Sequence, residues 1–374
     1  MSQPRTILVT GGAGFIGSHT CVELLTHGHD VIVVDNHQNS VPEALHRVQQ
    51  VAGRSLAASY VLDVRDREAL SAVFASHTVD AVIHFAGRKA VGESVRIPVQ
   101  YYDTNVGGTT ALLEVMSAHG VHRLVFSSSC SVYGVAERMP LTEAHPTAPV
   151  NPYARSKATC EQILADVCAH RSEFTVHALR YFNPVGAHPS GLLGEDPLGV
   201  PDNVMPYLAQ VAAGRRDHVT VFGDDWPTPD GTGVRDYIHV MDVAEGHRIA
   251  LEHPTPPGMH LLNLGSGQGT SVLQLIEAYQ QAAGRPVPYR IGARRPGDVP
   301  ELIADGTAAG AAWNWRPTRD LAAMCRDSWR FQLNNPHGYR PHNPTAGPVP
   351  GPVPGPGATT TPTGPRAHAL RSSA

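Results

Sequence analysis

Short, continuously apolar runs alternate with longer stretches of mixed polarity through the first half of the chain. The apolar runs fall at 7–10, 31–35, 59–62, 81–85, 124–128 and 176–181. A strand buried on both faces needs no polar alternation, so these runs read as parallel strands with helices on each side. The segments between them, such as 18–27 and 109–119, have the length and periodicity of helices. Alternating strands and helices predict an α/β fold, a doubly wound parallel sheet of Rossmann type with right-handed crossovers. Past Asn183 the rhythm breaks into Pro- and Gly-rich connections carrying shorter elements. That change predicts a first domain over 1–182 and a smaller C-terminal α/β domain, for substrate, over 183–340. One late apolar run, 260–264, reads as a strand returning to the first sheet, so part of the region near 237–267 is expected to pack back there. From about Pro341 the chain turns to Pro-Val-Pro-Gly-Pro repeats, and 341–374 reads as a disordered Pro-rich tail.

Composition narrows the class. The 374 residues are 41% hydrophobic, enough for a large core. A net charge of -4 argues against a general nucleic-acid binder. No apolar run approaches the roughly 20 residues needed to span a bilayer. Met1-Ser-Gln-Pro-Arg runs straight into an apolar strand, with no room for a signal peptide. The five cysteines form no C-x-x-C pair and suit free thiols in a reducing compartment. The 21 histidines are scattered without H-E-x-x-H, so no metal site is expected. The expectation is a cytoplasmic protein without nucleic-acid or membrane partners.

Chemistry enters at the first turn, Thr10-Gly-Gly-Ala-Gly-Phe-Ile-Gly17. Gly12, Gly14 and Gly17 satisfy G-x-G-x-x-G, and Gly11, Gly14 and Gly17 satisfy G-x-x-G-x-x-G. Glycines there let backbone N–H groups approach a pyrophosphate at a helix N-terminus. The turn follows a strand, opens a helix, and is answered by Asp35, 18 residues past Gly17. A carboxylate at that place suits ribose hydroxyls and repels a 2′-phosphate, and Asn36 follows it in place of an arginine. NAD is the cofactor these residues favour.

Of the 29 basic residues only Lys89 and Lys157 are lysine, which marks places that need a compact ammonium. Lys157 ends Tyr153-Ala-Arg-Ser-Lys157, and positions four apart share a helix face. The ammonium is therefore expected beside the phenol, lowering its pKa until Tyr153 can accept a proton. The fifth strand runs into Ser127-Ser-Ser129-Cys-Ser-Val-Tyr-Gly134 at the end of the sheet where ligands gather. A hydroxyl such as Ser129 can hold a substrate oxygen there while Tyr153 exchanges its proton.

Together these motifs resemble the extended short-chain dehydrogenase/reductase family, and within it the UDP-glucose 4-epimerases. The likeness extends through His84-Phe-Ala-Gly-Arg-Lys89-Ala-Val-Gly-Glu-Ser94, Tyr101-Tyr-Asp-Thr-Asn105, Arg180-Tyr-Phe-Asn-Pro-Val-Gly-Ala-His-Pro189 and Gly231-Thr-Gly-Val-Arg-Asp-Tyr-Ile-His-Val240. It runs from about Ile7 to Gly338. The resemblance implies Phe15 and Ile16 at the pyrophosphate, Asp35 and Asn36 at the ribose, and Asp63 and Val64 near the adenine. Gly11, Gly14, Gly17, Phe85, Ala86, Gly87, Lys89, Asn105, Ser129, Tyr153, Lys157 and Phe182 complete the implied NAD site. For a UDP-hexose it implies Ser129, Tyr153, Asn183, Asn203, Phe222, Arg235, Tyr237, Arg295, Asp298 and Leu302. The arginines also make sense alone, since a diphosphate needs charge-assisted partners. The implied reaction is oxidation at C4 by tightly bound NAD, rotation of the 4-keto sugar, and hydride return to the other face. Reaching a phenolate near pH 7 from about 10 takes roughly 4 kcal/mol, expected from Lys157 and the nicotinamide charge. A homodimer is the expected assembly.

Two departures matter. Ala154 replaces a common glycine and should leave the helix intact. Leu302 stands where substrate-restricted relatives carry a tyrosine, which opens the pocket to N-acetylated UDP-hexoses. Two other readings compete. A sugar-nucleotide 4,6-dehydratase would need an Asp-Glu pair where Cys130 and Ser131 stand. A non-catalytic NAD-sensing scaffold would have no use for Ser129, Tyr153 and Lys157 together.

Overall fold

Alternate residues of each central strand feed opposite cores. In β1 (Thr6–Thr10), Ile7 and Val9 enter one core and Leu8 the other; in β2 (Asp30–Asp35), Val31 and Val33 oppose Ile32 and Val34. Each such side chain, fully buried, contributes roughly 1.5–3 kcal/mol. The strands continue as β3 (Ala58–Val61), β4 (Ala81–His84), β5 (Arg123–Ser129) and β6 (Thr175–Tyr181). After them come β7 (Asn183–Val185), β8 (Val219–Phe222), β9 (Val234–His239) and β10 (Gly258–Leu264). The last are β11 (Gly269–Ser271), β12 (Tyr289–Gly292) and β13 (Glu301–Leu302). A computed structural model describes residues 4–136, 138–199, 201–295 and 298–340. The expected tail, 341–374, lies outside the described residues.

Seven strands form one sheet in the order β10-β6-β5-β4-β1-β2-β3, every neighbouring pair parallel. This is the doubly wound sheet that the alternation predicts, and the order reverses between β1 and β4. The helices of its first half are α1 (Phe15–Thr26), α2 (Pro42–Ala52), α3 (Arg67–Ser76), α4 (Val91–Arg96), α5 (Pro98–Tyr101), α6 (Gly108–Ala118) and α7 (Pro152–His170). Later come α8 (Val204–Ala212), α9 (Val240–Glu252), α10 (Val272–Ala283), α11 (Thr307–Trp313) and α12 (Leu321–Asn334). Leu24 of α1, Val48 of α2 and Leu251 of α9 cover one face of the sheet. Leu70 of α3, Met116 of α6 and Leu164 of α7 cover the other.

The smaller elements gather around β9. It pairs with β11, β13 and β7, while β8 pairs with β12. A separate core of Met205, Leu208, Val221, Tyr237, Leu275, Tyr279 and Trp329 lies under them. Buried Asp236 accepts from Ser266 N at 2.7 Å, Gly267 N at 2.9 Å and Ala304 N at 3.1 Å, tying β9 to the segments after β10 and β13. Since β7 follows β6 after a single residue, Phe182, the second sheet starts at the carboxyl end of the first.

Candidate active site

At the reversal between β1 and β4 the two outgoing loops touch. Gly11 has φ +70°, and a Cβ there would lie 2.7 Å from Ala86 N. A Cβ on Gly17 would lie 2.3 Å from Gly11 O, so no side chain fits where helix and turn meet. Gly14 caps α1 with no side-chain bond, which leaves the N–H groups of Phe15 and Ile16 in the first turn for an anion. Asp35, at the end of β2, accepts from Ala13 N at 3.0 Å and from His37 N and Ser40 Oγ at 2.9 Å. A carboxylate has about four acceptor sites, so one is left for a ligand hydroxyl. Asn36 donates to Asp63 at 3.1 Å. The Arg65 guanidinium, at 2.7 Å, holds the Asp63 carboxyl well below the usual range, while neighbouring Val64 is buried.

The loop after β4, Phe85 to Lys89, is clamped by Asn105. That amide accepts from Arg88 N at 2.8 Å and donates to Arg88 O at 3.1 Å and Ser156 Oγ at 2.8 Å. A Cβ on Gly87 would sit 3.0 Å from its oxygen. Asn105 lies in a single π-helical turn, Tyr102–Gly107, a distortion common at functional sites. Lys89 pairs with Glu195 at 2.9 Å. The glycine cradle, the open helix end and Asp35 fit a dinucleotide lying across the reversal point.

α7 supplies the reactive groups. Asn151 caps it by accepting from Ala154 N at 2.9 Å, and Pro152 opens its first turn. That fixes Tyr153 in the first turn and Lys157 one turn on, beside the serines ending β5. Lys157 is 6% exposed, donates to Ser127 O at 2.6 Å, and lies 4.9 Å from the centre of the Phe126 ring. Burial pulls its ammonium down to about 8, opposed by Cys160 and Glu161. Burial pushes the Tyr153 phenol up to about 12, opposed by the Ser129 hydroxyl. The expected lowering by Lys157 is thus reversed for the chain's own groups: desolvation outweighs every favourable contact. Ser129 accepts from Ser131 N at 3.2 Å and Ser131 Oγ at 2.9 Å.

The sequence reading missed Tyr181, whose buried phenol hydrogen-bonds the Ser127 hydroxyl beside Lys157. Its only signal was its place at the end of an apolar strand. It also missed Glu161, which holds buried Arg180 through Nε at 2.9 Å and Nη2 at 2.6 Å, and accepts from Ser128.

On the other side of the cleft, chain-distant residues meet. Arg235 pairs with Asp298 and donates to Val299 O at 2.8 Å. Arg295 instead stacks on Phe222, its guanidinium 4.5 Å from the ring centre. The two arginines expected at a diphosphate therefore have different partners. Tyr237 is buried, its phenol pushed up to about 12 by burial. Asn183 Oδ1 is buried without a protein partner, as suits a group awaiting a ligand. Asn203 is exposed at the start of α8 and donates to Glu195 at 2.6 Å. Leu302 pairs in register with Arg235 and packs with Cys130, Tyr133 and Phe182 in an apolar wall. Cys130 is buried and pushed up to about 12 by burial, so it cannot act as an acid–base group near neutral pH. Glu137, Val200, Pro296 and Gly297 lie outside the described residues.

A parallel sheet with a glycine cradle at its reversal point, and a serine–tyrosine–lysine group beside it, defines a Rossmann-type enzyme of the short-chain dehydrogenase/reductase kind. The model of the NAD dependent epimerase/dehydratase family matches residues 7–265, and the chain belongs to that family. It is 53% identical over 335 residues to the UDP-glucose 4-epimerase of Bacillus subtilis (strain 168), covering 89% of this chain and 98% of that one. The structure of the UDP-glucose 4-epimerase from Bifidobacterium longum in complex with NAD+ and UDP superposes with a TM-score of 0.87. The two are 52% identical, over 89% of this chain and 99% of that one. The enzyme from Stenotrophomonas maltophila, with bound NAD and formylated UDP-arabinopyranose, gives 0.85 at 48% identity, covering 88% and 98%.

Proposed function

We propose that the protein interconverts UDP-glucose and UDP-galactose by transient oxidation at C4, with NAD as a resident cofactor. The observation that carries this reading is the placement of Tyr153 and Lys157 on one helix face against Ser127 and Ser129, next to the glycine cradle. Gly11, Gly14, Gly17, Phe15 and Ile16 would hold the pyrophosphate of NAD, Asp35 and Asn36 its ribose, and Asp63 and Val64 its adenine side. Phe85, Ala86, Gly87, Lys89, Asn105 and Phe182 would line the remainder. When bound, NAD supplies the hydride acceptor and donor. Tyr153 takes and returns the 4-hydroxyl proton, Ser129 holds the sugar oxygen, and Lys157 provides fixed positive charge. Since burial alone leaves the phenol protonated, Tyr153 would need positive charge around it, from Lys157 and from the NAD that these residues would hold, to accept the proton. Arg235 and Arg295 would hold the diphosphate, with Asn183, Asn203, Phe222, Tyr237 and Asp298 around the nucleotide. A dehydratase reading is disfavoured by the inert Cys130.

The test is turnover of UDP-galactose by protein purified without added cofactor. We expect activity as isolated, and NAD released on denaturation, because a self-regenerating cycle never needs to let it go. Protein free of nucleotide that works only with millimolar added NAD would defeat the resident-cofactor reading.

Three finer readings accompany this one. Leu302 should leave room for an N-acetyl group at C2, so Leu302→Tyr is expected to depress activity on UDP-N-acetylglucosamine at least about tenfold more than on UDP-glucose. Equal losses on both substrates would refute that. A homodimer is supported by Val91, Val95, Val99 and Tyr102, all exposed on the adjoining α4, α5 and π-helical turn; Val95 and Val99 are 63% and 77% exposed. Light scattering should give twice the chain mass, and Val99→Asp should halve it; a monomeric parent protein would remove this assignment. A cytoplasmic role in galactose metabolism suits the five free thiols, four of them buried; the domain division 1–182 and 183–340, with part near 237–267 packing back on the first domain, suits the separate smaller core and the return of β10 to the large sheet. Among the described residues no helix is long and apolar enough to cross a membrane.

A further inference from the structure

Two cation–aromatic stacks join the ends of β8 and β12, and the expected nucleotide contacts include only one of them. Arg295 lies on Phe222; the residue before it, Arg294, lies over Trp226 with its guanidinium 4.0 Å from the ring centre. Trp226 folds back on Phe222, its indole Nε1 donating to Phe222 O at 3.0 Å. That return needs a glycine between them. Gly223 has φ +87°, and a Cβ there would lie 2.8 Å from both Arg294 Cγ and Trp226 Nε1. Arg294 Nε donates to Asp225 at 2.7 Å, and Gly223 N donates to Gly292 O at 2.9 Å, so the turn after β8 and the segment after β12 are fastened together. Trp226 N donates to Gly231 O at 2.9 Å, which ties the same turn to the approach to β9. Asp298 N donates to Arg295 O at 3.1 Å, and the Asp298 carboxylate holds Arg235. Phe222, Arg295 and Arg235, three of the expected nucleotide contacts, therefore share one scaffold.

We propose that Trp226 and Arg294 are positioning residues for the nucleotide half of the substrate, their stack fixing the Phe222 ring and the Arg295 guanidinium before the ligand arrives. This rests on the functional reading above, which places Phe222 and Arg295 at the nucleotide. With Arg295 on it, the Phe222 side chain is still 37% exposed and can take the plane of a base. An exposed arginine on a connecting segment loses conformational freedom when it binds a diphosphate. A neighbour already stacked and paired removes part of that loss in advance. The Arg294–Asp225 pair alone would do little, since its side chains are 42% and 70% exposed; the flat indole gives the guanidinium a fixed plane. Trp226 and Arg294 touch neither the reacting carbon nor the cofactor in this scheme, so they should govern nucleotide affinity and leave the chemistry alone.

The test uses the full chain with the NAD it carries, and UDP and UDP-galactose as probes. Trp226→Leu removes the ring, and Arg294→Met keeps the stem without the guanidinium. Each should weaken UDP binding, read by calorimetry, about five- to tenfold. KM for UDP-galactose should rise by the same factor while kcat stays within about twofold. Trp226→Phe restores a ring face and should bind UDP within about twofold of the parent protein. Joining Trp226→Leu to Arg294→Met should be little worse than either alone, since both break one contact. NAD content and Tm should stay close to the parent values. Unchanged UDP affinity in either single variant overturns the proposal, as does an additive double variant or a Trp226→Phe no better than Trp226→Leu. Parallel losses of kcat, NAD and Tm also overturn it, because they mark a purely structural role. Parent protein that binds UDP without turning over UDP-galactose defeats the functional reading, and the UDP affinities of the variants still decide this proposal. Parent protein that binds no UDP defeats both.

Discussion

Tyr153→Phe is expected to lower kcat by about a hundred- to ten-thousand-fold, the usual span for losing a positioned acid–base group. The substitution removes one oxygen from a half-buried first-turn residue whose helix is capped independently by Asn151. Fold and NAD content should therefore survive, and KM should change little. A phenol pushed up to about 12 by burial cannot yield a base by itself, so its activity depends on charge gathered around it. Ultraviolet difference titration should find Tyr153 ionising at lower pH in holoprotein than in NAD-stripped protein. Near-normal turnover by Tyr153→Phe would show that another group moves the proton.

Lys157→Arg should cost at least about a hundredfold in kcat although it keeps the positive charge. The ammonium fits as a compact donor to Ser127 O at 2.6 Å while packing on the Phe126 ring. A planar guanidinium is larger, and forcing it into this core should also destabilise the fold by about 1–3 kcal/mol. Near-parental kcat in Lys157→Arg would mean that any cation at this place suffices. The pH profile carries a second signature. Lys157 is pulled from 10.5 to about 8, so activity that needs the ammonium is full below about pH 8 and falls as pH rises through it. Stability from the same group moves oppositely. Between about 8 and 10.5 the unfolded chain holds the proton and the fold has released it, so the contribution of Lys157 to stability grows with pH there. Activity rising through pH 9 would contradict an ammonium role.

The sequence by itself determined the large sheet, the glycine turn and the helix bearing Tyr153 and Lys157. Each is local: uninterrupted apolar runs specify strands buried on two faces, and Asn151-Pro152 marks a helix start. Boundaries moved by a few residues only, as in α1, which begins at Phe15 because Gly14 caps it. Tertiary structure decided what depends on distance and burial. The strands paired with β9 are two or three residues long, too short to announce themselves. The stacking of Arg295 on Phe222 and the pairing of Arg235 with Asp298 join residues 73 and 63 positions apart. A phenol and an ammonium four apart on a helix suggested that Lys157 would acidify Tyr153; the fold instead desolvates both groups and directs the ammonium to a backbone carbonyl. Spacing along a chain fixes which groups can meet, but the sign of a pKa shift follows from desolvation, which exists only once the chain has folded.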